Sequence, residues 1–233
     1  MTAPRPADRS GAAGVEAGDP LAFPPFTRPR RVRAELVGAI LRSGRTVPDE
    51  TFDEVYPDAV RRASPLHWTP VRVAARVVEL LRLRPGERLL DVGAGAGKFC
   101  IVAAAMSRAR VRGIERLPRL AEVAREAARR VGVEVDLADG GFDAEDPRTV
   151  DAAYLFNPFT EAILLPGARD FAADRFAGRI AADIAAAEAF LERTRSGTRV
   201  VTFCGFGGTV PPGYARRASE VWDAGDLELW EKL

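Results

Sequence analysis

The chain is short of the side chains that build most metal and hydrolytic centres. Its 233 residues contain one histidine, His67, and two cysteines, Cys100 and Cys204. A single imidazole leaves little material for a histidine-rich metal site or for a hydrolase built on a Ser-His pair, so no metal is expected. The cysteines both sit in apolar stretches without the paired spacing of a zinc site or a disulfide framework, and they read as small buried residues of a reducing compartment. No apolar run approaches the roughly 18 residues of a membrane span, and prolines and charges stand where a signal peptide has its apolar centre. A cytoplasmic protein without a membrane partner is expected. Charge excess is missing too: 34 basic residues face 33 acidic ones, which disfavours a nucleic-acid partner without removing it. Oligomeric state has no signal in the sequence.

Hydrophobic residues make up 47% of the chain, enough for one sizeable core and one main domain with an N-terminal extension. Residues 1–27, with Pro4, Pro6, Pro20, Pro24 and Pro25 among glycines and alanines, read as a disordered tail. Residues 28–68 read as a helical extension that caps the domain's open side. It opens on Arg28, Arg30, Arg31 and Arg33, with helices over Val32 to Arg42 and Asp49 to Ala63. Residues 69–233 form the main domain. Thr69 is the expected N-cap of its first helix and Pro70 its first residue, with Val71, Ala74, Val77, Val78 and Leu81 on one face and an end at Pro85 and Gly86.

Five apolar β-type runs follow: Arg88 to Val92, Arg110 to Ile114, Glu134 to Ala138, Ala152 to Phe156 and Arg199 to Cys204. They alternate with helical patterns near 97–107, 118–131 and 171–195. Alternation of this kind indicates an α/β, Rossmann-like doubly wound sheet, parallel and covered on both faces. Tyr214 to Trp222 and Leu227 to Lys232, linked by Asp223 to Asp226, add an antiparallel hairpin and bring the sheet to about seven strands.

The most informative segment is Leu89-Leu90-Asp91-Val92-Gly93-Ala94-Gly95-Ala96-Gly97-Lys98, a buried strand running into a glycine turn that opens a helix. Glycines there let the backbone turn sharply and approach a ligand at the carboxyl end of the sheet. Three cofactor classes compete for such a loop. A dinucleotide fingerprint would put its third glycine at position 98, where Lys98 stands; a Walker loop fails at Val92 and again at Phe99. The second strand ends in Glu115, whose carboxylate can accept from both hydroxyls of a ribose. The third ends in Asp139 and Gly140.

An acidic strand residue followed by G-x-G-x-G resembles the first motif of the class I S-adenosylmethionine (SAM)-dependent methyltransferases, a resemblance that covers roughly residues 69–232. It implies SAM as cofactor. By the same resemblance Asp91 lies near the amino end of its methionine part, and Gly93, Ala94, Gly95 and Gly97 contact that part. Glu115 with Arg116 would sit at the ribose, Asp139 and Gly140 at the adenine, and Asn157 at the far end of the cofactor.

The fourth strand delivers Asn157, Pro158 and Phe159 to the rim, and Asn157 is the candidate for binding an acceptor nitrogen or oxygen. The run resembles the Asp/Asn-Pro-Pro-aromatic motif of nitrogen methyltransferases, with one proline where that motif has two. His67 could serve as a base and Trp68 as a substrate contact, beside Pro158 and Phe159. Each residue also has a plainer reading: Asp91 as a brace of the loop, Glu115 paired with Arg116 or Arg119, Asp139 in an ordinary turn, Asn157 as a turn cap, and His67 and Trp68 as packing. The expectation is a methyltransferase acting on an unidentified acceptor, a small molecule or a protein ahead of nucleic acid. The competing readings are an NAD(P)-dependent oxidoreductase and a binding module that has kept the fold without the reaction.

Overall fold

The computed structural model describes residues 31–159 and 179–233. The tail expected over 1–27 and the stretch 160–178 lie outside the described residues. A seven-stranded sheet organises the rest, with strands β1 (Arg88–Val92), β2 (Arg110–Glu115), β3 (Asp136–Asp139), β4 (Ala152–Phe156), β5 (Arg199–Phe203), β6 (Tyr214–Trp222) and β7 (Gly225–Lys232). Their spatial order is β3-β2-β1-β4-β5-β7-β6. The first five are parallel, and β7 inserts antiparallel between β5 and β6. Order therefore reverses between β1 and β4, and a crevice at such a switch point is where ligands bind in open α/β sheets.

Alternation along the strands explains why both faces are covered. Leu89, Tyr154 and Val201 enter one apolar cluster, whereas their neighbours Leu90, Ala153 and Val200 enter the other. Helices α4 (Val71–Leu81), α5 (Lys98–Met106) and α6 (Pro118–Val131) supply the first cluster, and α7 (Ile180–Glu192) supplies Ala187, Phe190 and Leu191 to the second. The parallel strands are apolar along their length because neither face meets water.

The N-terminal helices α1 (Arg31–Arg42), α2 (Asp49–Phe52) and α3 (Asp58–His67) join the first cluster through Val37, Leu41, Phe52, Val55 and Val60. A Cβ on Gly38 would stand 2.2 Å from the Val131 carbonyl oxygen, so only glycine lets α1 lie this close to the end of α6. The extension therefore packs on the helical layer of the main domain and shares its core.

Several local expectations are corrected. The helix expected over Asp49 to Ala63 is broken: Tyr56 is extended before Pro57, as steric conflict with a following proline favours, and α3 then continues through Pro65 to His67. The third strand spans Asp136–Asp139, two residues later than expected. Helix α4 ends at Leu81, with Arg82 left-handed. Thr69 does not cap α4. Its hydroxyl is 2.8 Å from that of Tyr154, and the Val71 N–H is taken by the Asp49 carboxylate at 3.0 Å. Cys204 is only half-buried, unlike Cys100. Of the helix expected over 171–195, the described part is α7, and the hairpin turn is tighter than expected because Trp222 already pairs with Gly225.

Candidate cofactor site

The site is built where β1 stops. Gly93, Gly95 and Gly97 all have left-handed φ values of 78, 56 and 76°, which residues carrying a Cβ seldom adopt. Their missing side chains are also occupied space. A Cβ on Gly93 would meet that of Pro158 at 2.7 Å, and one on Gly95 would meet Trp68 Nε1 at 2.5 Å. The rim segment after β4 and the end of the extension thus close on the turn from two sides.

Glu115, at the end of β2, holds the turn. One carboxylate oxygen accepts the Gly95 N–H at 2.8 Å and the other the Leu117 N–H at 2.9 Å. A carboxylate has about four acceptor positions, more than these backbone donors fill. Burial raises its pKa, opposed by the backbone N–H groups of Leu117, Gly95 and Arg116 and by the charge of Arg116. Arg116 itself reaches α7 and binds Asp183 at 2.7 Å.

Asp91 is buried in β1, where it pairs with Gly113 of β2 and Tyr154 of β4. Burial pushes its pKa up to about 7; the Cys100 thiol, which donates to it at 3.1 Å, pulls the other way, and the Glu115 charge adds to the rise. The ring of Phe99 stacks on Tyr154 at 4.0 Å, and both line a cleft with His67, Trp68, Asp91, Gly93, Gly95 and Phe156. Burial lowers the His67 pKa, so its imidazole is neutral at physiological pH.

Lys98, at the start of α5, does something the sequence does not announce. It is 2% exposed and points away from solvent into the extension, with Nζ 2.5 Å from Asp49, 2.8 Å from Asp53 and 3.1 Å from the Ser64 hydroxyl. Its charge is met by two carboxylates, and it donates a hydrogen bond to the Ser64 hydroxyl. Asp49 also caps α4, so one carboxylate ties the helix after Trp68 to the helix after the glycine turn. Sequence spacing gave no hint of this network, because its members lie far apart in the chain. The one signal was a lysine between Gly97 and Phe99 in an otherwise apolar segment.

The remaining candidates are placed less centrally. Asp139 ends β3 beside Glu115, but its carboxylate pairs with Arg125 at 2.9 Å, and the Gly140 N–H donates to the Glu115 carbonyl. Asn157 adopts a left-handed φ of 41°, which asparagine tolerates better than most residues, and its backbone N–H donates to the Gly205 carbonyl. Phe159 packs against Phe142 with centroids 6.0 Å apart. Among the described residues no cluster of acids, histidines and cysteines is arranged to hold a metal, and no helix is long and apolar enough to cross a membrane.

With this geometry in place, comparisons with known proteins become specific. The protein-L-isoaspartate(D-aspartate) O-methyltransferase family model matches residues 45–152. The protein-L-isoaspartate O-methyltransferase of Methylorubrum populi is 39% identical over 110 residues, covering 46% of this chain and 51% of that protein. The corresponding protein of Aeropyrum pernix is 43% identical over 74 residues, 29% of this chain and 28% of its own length. The chain thus spans about half, or less, of the length of these curated relatives. Among solved structures, an RNA methyltransferase from Salinibacter ruber in complex with S-adenosyl-L-homocysteine superposes with a TM-score of 0.54 at 24% identity, over 71% of this chain and 94% of that one. The fold is that of the class I SAM-dependent methyltransferases.

Proposed function

We propose that the protein is a SAM-dependent methyltransferase whose acceptor is a side-chain carboxylate of another protein. The observation that carries the cofactor assignment is the Glu115 carboxylate closed on the Gly95 N–H, with acceptor positions left over for a ribose. The chemistry of the lining fits such a group: the buried Asp91 carboxylate suits an ammonium, and the Trp68 indole nitrogen on Gly95 is buried without an acceptor. Asp91 faces the ammonium end in this reading. Gly93, Ala94, Gly95 and Gly97 line the methionine chain, Glu115 and Arg116 the ribose side, Asp139 and Gly140 the adenine, and Asn157 the rim.

SAM, when bound, supplies a methyl group on a sulfonium. The chain's part is to align an acceptor with that carbon and to exclude water. A carboxylate acceptor is already deprotonated at neutral pH, so its oxygen attacks without a general base; the C–S bond breaks, its electron pair stays on sulfur, and a methyl ester results. No strongly basic group is then needed beside Asn157, and neutral His67 is free to orient the acceptor. The family model matched over residues 45–152, and the relatives that bear the same activity's name, support the carboxylate choice. That stretch ends before Asn157, and Asn157-Pro158-Phe159 favours a second reading in which a planar nitrogen is gripped at the rim.

Tritiated SAM with an isoaspartyl peptide separates the two. Expected is label that mild base releases as volatile methanol, the behaviour of an ester. Base-stable label on the acceptor would transfer the assignment to nitrogen, and absence of any transfer to peptides or proteins would remove the carboxylate reading.

A further inference from the structure

Among the side chains that line the cleft, one buried donor has no acceptor. Trp68 is 7% exposed, and its Nε1 makes no hydrogen bond. The other polar groups of the lining have partners: Lys98 lies against Asp49, Asp53 and Ser64, and the hydroxyls of Thr69 and Tyr154 share one hydrogen bond. His67 is partly open to water, which can serve it. An indole N–H has one function in hydrogen bonding, as a donor, and leaving it buried and unmet carries a free-energy cost. That cost is not forced by packing alone. The edge of the ring bearing Nε1 rests on the bare Cα of Gly95, and both residues line the cleft.

Charge decides what kind of acceptor belongs there. Asp91, buried in the lining of the same cleft, suits an ammonium group and repels an anion placed on it directly. The carboxylate of an amino acid shares its α-carbon with the ammonium, so it lies beside that group and needs a donor of its own, and the unmet buried donor in the lining is the Trp68 indole. We propose that Trp68 Nε1 donates to the carboxylate of the cofactor's amino-acid end, making Trp68 a cofactor-selecting residue and not an acceptor contact. The inference rests on the SAM reading above. It assigns the indole to the single anionic group of that cofactor.

The test compares S-adenosylhomocysteine with its decarboxylated analogue, which keeps the adenosine, sulfur and amine and lacks only the carboxylate. Wild-type protein is expected to prefer the carboxylated ligand, and Trp68→Phe, which keeps a smaller aromatic ring and deletes the N–H, to lose roughly tenfold or more of that preference, any packing loss falling equally on both ligands. Equal loss for both ligands, or no loss for either, overturns the proposal, because a ring that merely packs cannot sense the carboxylate. Indole resonances of the wild-type protein provide a readout that needs no stable variant. The Trp68 Nε1 proton should move downfield with S-adenosylhomocysteine and stay in place with the analogue, and an unmoved proton in the saturated complex overturns the idea. Wild-type protein that binds neither ligand removes the SAM reading itself, whereas binding of both with equal affinity removes only the role given to Trp68.

Discussion

The Glu115 carboxylate reaches back 20 residues to the Gly95 N–H at 2.8 Å, so the end of the second strand holds the turn that follows the first. Its other oxygen takes the Leu117 N–H, which also fixes the entry to α6. One buried side chain therefore shapes the turn and the start of the next helix. Glu115→Ala should leave two N–H groups without their acceptor and cost roughly 2–4 kcal/mol of stability. Glu115→Gln keeps one oxygen for one N–H and sets its NH2 against the other, so it should recover only part of that stability while weakening cofactor binding. Chemical denaturation and a binding titration on both variants check the split; equal affinity in all three proteins would contradict it.

Asp91 gives the turn a pH dependence. Its folded pKa of about 7 lies above the ordinary aspartate value, because burial disfavours the charge. Between those two values the folded state holds the proton and the unfolded state has lost it. This contribution is thus fully present below about pH 4 and lost as pH rises towards 7. Asp91→Asn should flatten that fall and leave the protein more stable at pH 8, by up to about 4 kcal/mol from a shift of this size. A ligand ammonium favours the ionised form, so cofactor affinity of the wild type should rise from pH 6 to pH 8. Melting temperatures and titrations across that range test both signs, and a pH-independent affinity would argue against an ammonium at Asp91.

Much of this arrangement was legible beforehand because it depends on local pattern. The five parallel strands announce themselves by apolar runs, the glycine turn by its spacing, and Glu115 by its place at a strand end. The path of β7 between β5 and β6 was not readable, since a hairpin's own sequence does not say which of its strands meets the sheet. Nor was the role of Asp49. It bonds the Val71 N–H and Lys98 at once, and such remote pairing leaves no periodic trace. Thr69 had every local mark of an N-cap, but the buried Tyr154 hydroxyl needed a partner and took it. The break at Pro57 could have been seen, because a residue before proline resists the helix.

The Lys98 network should behave as a buried charge cluster. Lys98→Met strands Asp53, whose pKa is already raised by burial and held down by Lys98, and should cost roughly 3–5 kcal/mol. Adding Asp53→Asn to Lys98→Met should recover a substantial part. Denaturation midpoints of the two variants decide; a double variant no better than the single one would show that Asp53 is not the group left stranded.

Two glycines separate conformational cost from crowding. Gly132 and Gly93 share a left-handed backbone, with φ of 75 and 78°, but a Cβ at Gly132 would meet nothing within 4 Å. Gly132→Ala should cost about 1 kcal/mol and leave ligand binding unchanged. Gly93→Ala carries the same backbone cost and drives a methyl group into Pro158, so affinity should fall as well. Parallel thermal melts and titrations compare them, and intact binding in Gly93→Ala would mean that the turn does not need to stay clear.

In the proposed reading, the hollow beyond β1 seats an adenosyl-amino acid and not a dinucleotide. Calorimetric titration of the full chain with S-adenosylhomocysteine, followed by NADH, tests it most directly. The account requires saturable one-to-one binding of the first, sharply weakened by Glu115→Ala, and no heat from the second. Saturable binding of NADH, with none of S-adenosylhomocysteine, would contradict it.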